Sequence, residues 1–346
     1  MESRTPSGAP GRPRHVTVRD GKAGLPYSKG LMATSIMASG LPPSRAHYVA
    51  EIIENRLHEE GMESVSSSEL RDLAAGVLED VVGPRYAANY RTWQRAQDRT
   101  VPLIVLLGGT TGVGKSTIAT TIATRLGIVR IVSSDAIREV MRGIFTKEMM
   151  PSLHASSFNV AEHLREPPAG DADPVIAGFR RQVQAVSVGV TQLIRRAVVE
   201  GIDLIIEGAH VVPGFVQVPS RSEAIVASLV VTVDDEQAHR SHFVARDQDT
   251  RARRNRNYLD HFTEIRTIQN YLRSLAVEHG VPVVPSYSLD TTVARVMQLV
   301  VSELTDASDL PPPHVSAPDP AAQAVPVPVA EVSADDIVFP GAPRRP

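Results

Sequence analysis

Gly109, Gly114, Lys115 and Ser116 stand at the spacing G-x-x-x-x-G-K-[ST] within V-P-L-I-V-L-L-G-G-T-T-G-V-G-K-S-T, residues 101–117. Glycines so placed let successive backbone N–H groups curl around anionic oxygens, and a helix that starts directly afterwards adds a favourable dipole. The lysine can reach β- and γ-phosphates, and the Ser116 hydroxyl can ligate Mg²⁺. The chemistry is that of a nucleoside triphosphate with a metal. An apolar, β-rich run precedes the loop and a helix-compatible run, Thr117 to Leu126, follows, which is the strand–loop–helix context the motif needs. That context counts against a mere glycine-rich turn with a chance Lys-Ser. The residues expected to cradle the triphosphate are Gly109, Thr110, Thr111, Gly112, Val113, Gly114, Lys115, Ser116 and Thr117.

A triphosphate site serves switches, motors and kinases alike, so the acceptor side must decide. R-I-V-S-S-D reads as a short strand ending in Asp135, at a position facing the γ-phosphate across the sheet edge. A carboxylate there could accept or orient the proton of an acceptor hydroxyl, while Arg138 binds an anionic group of the acceptor. Arg142 lies one turn further along the same helix face. The same D-x-x-R would also serve as an exposed helix start with Asp135 as N-cap, but the upstream loop favours the functional reading. Glu207 ends the apolar strand D-L-I-I-E, where it could hold Mg²⁺ directly or through water. Its alternative is a scaffold pair with a nearby arginine. His210 either contacts substrate or fills a loop. His154, with Ser156 and Ser157, either lines the acceptor pocket or belongs to a polar loop. Arg246, Arg251, Arg253, Arg254 and Arg256 crowd one segment. A charge run is most often a solvated face, yet this one lies between a strand–helix unit and another helix, where a mobile lid closes arginines over phosphates. Lys115, Asp135, Arg246 and Arg254 are the catalytic candidates; Asp135, Arg138, Arg142, His154 and His210 the acceptor-binding ones; Ser116 and Glu207 the metal ligands.

These residues need a scaffold, and the chain is long enough for two domains at 346 residues. Composition is ordinary for a globular protein, 42% hydrophobic and 22% charged. A net charge of -3 gives no reason to expect a nucleic-acid or membrane partner. The chain has no cysteine, which excludes thiolate chemistry, iron–sulfur clusters and disulfides. The N-terminus lacks an apolar h-region, and the longest apolar run, Ile225 to Val233, is about half the length that spans a bilayer, so a cytoplasmic protein is expected. Residues 1–14 and 306–346 are Pro-rich and expected to be disordered. Residues 15–97 read as a small module of strand, Asp-Gly turn and helices, with a serine before Glu69 as N-cap. Residues 98–305 alternate strands with helices, so a parallel sheet of about five strands covered on both faces is expected, in the three-layer α/β arrangement. The irregular stretch is expected to run from Phe145 to Gly178, ahead of a helix from Phe179 to Glu200.

Residues 15–97 resemble an ATP-cone through Val16, Val18, Arg19, Asp20 and Gly21 and the segment Pro26-Tyr27-Ser28-Lys29. A helical docking module without a ligand is the other reading. In order along the chain, G-G-T-T-G-V-G-K-S-T, V-S-S-D-A-I-R-E-V-M-R, S-L-H-A-S-S-F, I-I-E-G-A-H-V-V-P-G and N-Y-L-D-H-F-T-E-I-R-T-I-Q-N-Y-L together resemble the 2-phosphoglycerate kinase family. The resemblance covers about residues 15–304. It implies a P-loop kinase with ATP as donor, Mg²⁺ as cofactor and a small phosphorylated hydroxy acid as acceptor, and it accounts for the surplus of arginines. Rival readings are a kinase for another small anionic or polar alcohol and a non-catalytic ATP sensor. A GTPase-like switch is disfavoured because no N-K-x-D motif occurs.

Overall fold

The computed structural model describes residues 16–20, 23–164, 172–245 and 258–308. The expected disorder of residues 1–14 and all five crowded arginines, Arg246, Arg251, Arg253, Arg254 and Arg256, lie outside the described residues.

Five strands, β4 (Leu103–Gly108), β5 (Ile131–Ser133), β6 (Leu204–Gly208), β7 (Ile225–Thr232) and β8 (Val283–Pro285), form a parallel sheet in the order β5-β6-β4-β7-β8. Its layers follow from the two-residue period of a strand. Leu103, Val105 and Leu107 of β4 share one core with α5 (Lys115–Leu126) and α10 (Leu289–Ser308), through Ile118, Ile122, Val293 and Val300. Ile104 and Leu106 point the other way, onto Val186, Val190 and Ile194 of α7 (Pro174–Glu200) and Ile137 of α6 (Ser134–Ile144). Phe179 and Val183 of α7, Phe243 of α8 (Glu236–Ala245) and Ile265, Ile268 and Leu272 of α9 (Phe262–Glu278) complete that side. Every β4 residue is buried, as expected for the central strand of a covered parallel sheet.

The residues before this sheet make a second core. β1 (Thr17–Asp20) pairs antiparallel with β2 (Ala23–Pro26) and parallel with β3 (Ser64–Ser66). Against them pack α1 (Lys29–Met37), α2 (Pro43–Glu59), α3 (Ser67–Val81) and α4 (Pro84–Ala96), burying Ile36, Ile53, Leu57 and Leu78. Ser66 begins α3 with a capping box: its hydroxyl accepts from Glu69 N while its own backbone N–H donates to Glu69 Oε2 at 2.9 Å. The helix α4 bridges the cores, since Ala87 and Tyr90 sit in this second core and Trp93 and Ala96 in the core that β4 shares with α5.

Several expected boundaries move. In α1 Met32, Ile36 and Met37 form the buried face, while Leu31 is 71% exposed. Gly83, with φ 127°, and Pro84 separate α3 from α4. α7 begins at Pro174, inside the stretch expected to be irregular, because Asp173 caps it by accepting from Val175 N and Ile176 N. α10 runs to Ser308, past the expected start of disorder at 306, because its prolines begin only at Pro311. Among the described residues no helix is long and apolar enough to cross a membrane.

Replacing Ser66 with Ala removes the capping box and is expected to destabilise the chain by about 1 kcal/mol. The urea midpoint reads this, and an unchanged midpoint would contradict a contribution of the cap to stability.

Candidate active site

The phosphate loop leaves β4 and enters α5. Gly109, Gly112 and Gly114 take φ of 145°, 87° and 86°, the region open to glycine. Lys115 is buried, and its Nζ donates to the Thr110 carbonyl at 2.8 Å, folding the charge onto its own loop. Thr110 Oγ1 donates to Ile265 O at 3.4 Å, tying the loop to α9.

Strand register brings the acids to this loop. Leu107 lies opposite Glu207, and Ser133 lies opposite Glu207 from the other side. Ser116 Oγ donates to Glu207 Oε1 at 2.9 Å, and Glu207 is only 6% exposed. The sequence alternative of an arginine partner for Glu207 is thus replaced by a hydroxyl partner. A hydroxyl and one carboxylate suit a hard cation such as Mg²⁺, which completes its shell with phosphate oxygens and water. Among the described residues there is no group of three or more His, Asp and Glu that could hold a metal ion.

Asp135 does not end a strand. β5 stops at Ser133, whose side chain caps α6 by accepting from Ala136 N, so Asp135 stands in the first helical turn and is not the N-cap. Its carboxylate stays largely exposed, where the helix dipole favours it. Arg138 reaches back to Asp135 at 3.4 Å, and its Nη1 donates to the carbonyls of Leu153 and Ala155 at 2.9 and 3.2 Å. Much of its donor capacity therefore holds the 3₁₀ turn Pro151–His154 against α6. Arg142 pairs with Glu139 at 2.6 Å. The half-buried His154 bonds Phe145 O at 2.8 Å and pins the same loop.

His210 is corrected from a substrate contact to an internal brace. It is fully buried, with Nδ1 3.0 Å from Ser134 Oγ and Nε2 2.9 Å from Gln182 Oε1. The Gln182 amide in turn donates to Ser152 O and Ala155 O at 2.6 and 3.0 Å. The end of β6, the start of α6, α7 and the 152–155 loop are thereby joined, and Gly208 leaves the room that Ser134 fills. Burial pushes the His210 ring down to about 4; Asp135 opposes this, while Arg138 and Lys115 add to it.

Other residues of the site escaped the sequence reading. His239 Nε2 bonds Thr111 O and His242 Nδ1 bonds Gly112 O, each at 2.9 Å. Their H-x-x-H spacing on a helix was the available signal, absorbed into the arginine-dense stretch that follows. Burial also pushes His239 to about 4, the bond to Thr111 working against it. Buried Gln269 both donates to and accepts from the Val233 backbone, each at 2.9 Å, fixing the chain just past β7.

A phosphate loop on the central strand, an acid ending the adjacent strand and this strand order define a three-layer P-loop kinase fold. No protein-family model matches the chain. It is 38% identical over 295 residues to the 2-phosphoglycerate kinase of Methanopyrus kandleri, spanning 85% of this chain and 89% of that protein. To the 2-phosphoglycerate kinase of Thermococcus kodakarensis it is 40% identical over 294 residues, 84% of this chain and 98% of that one. That of Methanothermobacter thermautotrophicus is 39% identical over 276 residues, 79% and 89% of the two chains. The chain belongs to the 2-phosphoglycerate kinase family.

Both buried imidazoles predict acid sensitivity. In the unfolded chain each binds a proton below about pH 6.5, but in the folded chain only below about 4. Between those values the unfolded state holds more protons, so stability should fall as pH drops from 6.5 towards 4. Urea midpoints across that window read the slope, which His210→Gln should make shallower; an identical slope in the variant would contradict the assignment.

Proposed function

We propose that this chain is a kinase that transfers the γ-phosphoryl group of ATP to the free hydroxyl of 2-phosphoglycerate, giving 2,3-bisphosphoglycerate and ADP. The observation that carries this reading is the β5-β6-β4 register, which sets the start of α6, with exposed Asp135, beside Glu207 and the phosphate loop. The names of the curated relatives support the acceptor.

In this reading Lys115 swings from the Thr110 carbonyl to the β- and γ-phosphates. The acceptor hydroxyl oxygen forms a bond to the γ-phosphorus as the bond from that phosphorus to the β,γ-bridging oxygen breaks, and ADP leaves with the electron pair. Asp135 orients the hydroxyl and takes its proton. Arg138, one turn along α6 from Asp135, and Arg142, in the last turn of that helix, meet the carboxylate and phosphate of the acceptor, since a guanidinium fork suits either group. Arg246 and Arg254 are assigned the charge of the transferring group. Mg²⁺, held by Ser116 and Glu207, neutralises phosphate charge when bound. His210, Gln182 and Ser134 keep Asp135 and the 152–155 loop in place. Such phosphorylated metabolites suit an enzyme of the cytoplasm.

A nucleotide-dependent regulatory role is assigned to the ATP-cone-like module, residues 15–97. A cavity of about 440 Å³ lined by Val18, Asp20, Tyr27, Ser28, Met32 and Ser67 supports it. With Lys115→Ala disabling the loop, residual ATP binding would support this assignment and its complete loss would remove it.

With Mg-ATP, ADP release should depend on 2-phosphoglycerate and respond little to other small alcohols. Asp135→Asn should lower kcat by about a hundredfold or more while ATP affinity holds. Undiminished transfer by that variant takes Asp135 out of the chemistry. Stimulation by a different alcohol alone replaces the acceptor, and ATP binding without turnover on any acceptor points to an ATP sensor.

A further inference from the structure

The motif G-x-x-x-x-G-K-[ST] leaves position 112 free, yet this chain has a glycine there. A Cβ on Gly112 would press into the Phe243 ring and come within 3.0 Å of His239 Nε2, so α8 forbids a side chain at this point. α8 is thus seated directly on the phosphate loop. Phe243 is fully buried and stacks on His239 with ring centroids 5.4 Å apart, and Phe262 meets His239 edge-on at 5.4 Å. The imidazole of His239 is held in one orientation by aromatic packing.

Both imidazoles bind backbone carbonyls, which carry no proton, so the ring nitrogens facing them must be the donors. His239 donates through Nε2 and His242 through Nδ1. His239 Nδ1 is buried with no partner, which fits a neutral ring in that single tautomer. In a planar trans peptide the C=O and the following N–H point in opposite directions. Drawing the carbonyls of Thr111 and Gly112 towards α8 therefore turns the N–H groups of Gly112 and Val113 away from it. Consecutive N–H groups turned the same way are what an anion-binding concavity requires. A bond to the carbonyl also polarises the amide and strengthens its N–H as a donor.

We propose that His239 and His242 are positioning residues of the phosphate loop, holding two consecutive peptides so that the N–H groups of Gly112 and Val113 face the triphosphate. The proposal rests on the reading of residues 109–117 as the ATP site and needs nothing from the identity of the acceptor.

The two histidines use different nitrogens, which supplies a test that loss of bulk cannot mimic. An asparagine amide nitrogen falls near the place of Nδ1, and a glutamine amide nitrogen near that of Nε2. His242→Asn and His239→Gln should therefore keep Mg-ATP affinity within about threefold of the parent, since each restores a donor. His242→Gln and His239→Asn misplace the donor and should weaken it by about tenfold, the value of one lost hydrogen bond. Titration calorimetry with Mg-ATP alone reads the affinity, and thermal melting checks that each variant is folded. If the buried His239→Asn does not fold, the half-exposed His242 pair decides. Equal affinity within the His242 pair, whether both like the parent or both weakened, overturns the proposal. Failure of transfer to 2-phosphoglycerate leaves this measurement intact, whereas a parent protein that binds no ATP overturns the loop reading and this proposal together.

Discussion

The parallel pairing of β4 with β6 is the constraint on which the site depends. It aligns Leu107 with Glu207 and Gly108 with Gly208, so the phosphate loop and the acid-bearing strand end emerge side by side. Only in that register does Ser116 reach Glu207. A slip of one residue would turn Glu207 into the apolar layer and bring Ile206 to the loop, reversing every side chain of a strand that is buried throughout. The pairing is held by Ile104, Leu106, Leu204 and Ile206 on one face and by Leu103, Val105, Leu107 and Ile205 on the other. The core that stabilises the sheet therefore also sets the geometry of the site.

Around that frame, buried polar groups are used as braces. Burying an imidazole is costly unless its nitrogens find partners. His210 satisfies both, with Ser134 and Gln182, and so joins three elements and the 152–155 loop at one point. Arg138 acts similarly from the surface side through the Leu153 and Ala155 carbonyls. Side chains chosen from sequence for substrate contact thus divide in two. Asp135 remains open to solvent, while His154 and His210 are committed to the protein itself.

What was legible in the sequence was whatever a local pattern dictates. The glycine spacing, the apolar run of β4 and the strand ending near Glu207 each carry their meaning within a few residues. The α3 cap was legible for the same reason, as Ser66 and Glu69 are three positions apart. What was hidden depends on contacts distant in sequence. Nothing near His239 announces that its partner is Thr111, and nothing near Gln182 points to His210. The strand expected to end at Asp135 stops two residues earlier because R-I-V-S-S-D offers two serines, and only the folded chain shows that Ser133 is the cap.

The central claim is that one site joins a triphosphate donor to a phosphorylated hydroxy acid. Phosphorus NMR of the purified protein with Mg-ATP and 2-phosphoglycerate tests it most directly. A bisphosphorylated glycerate should accumulate in step with ADP. ADP accompanied only by inorganic phosphate, or ATP left unconsumed, would contradict it.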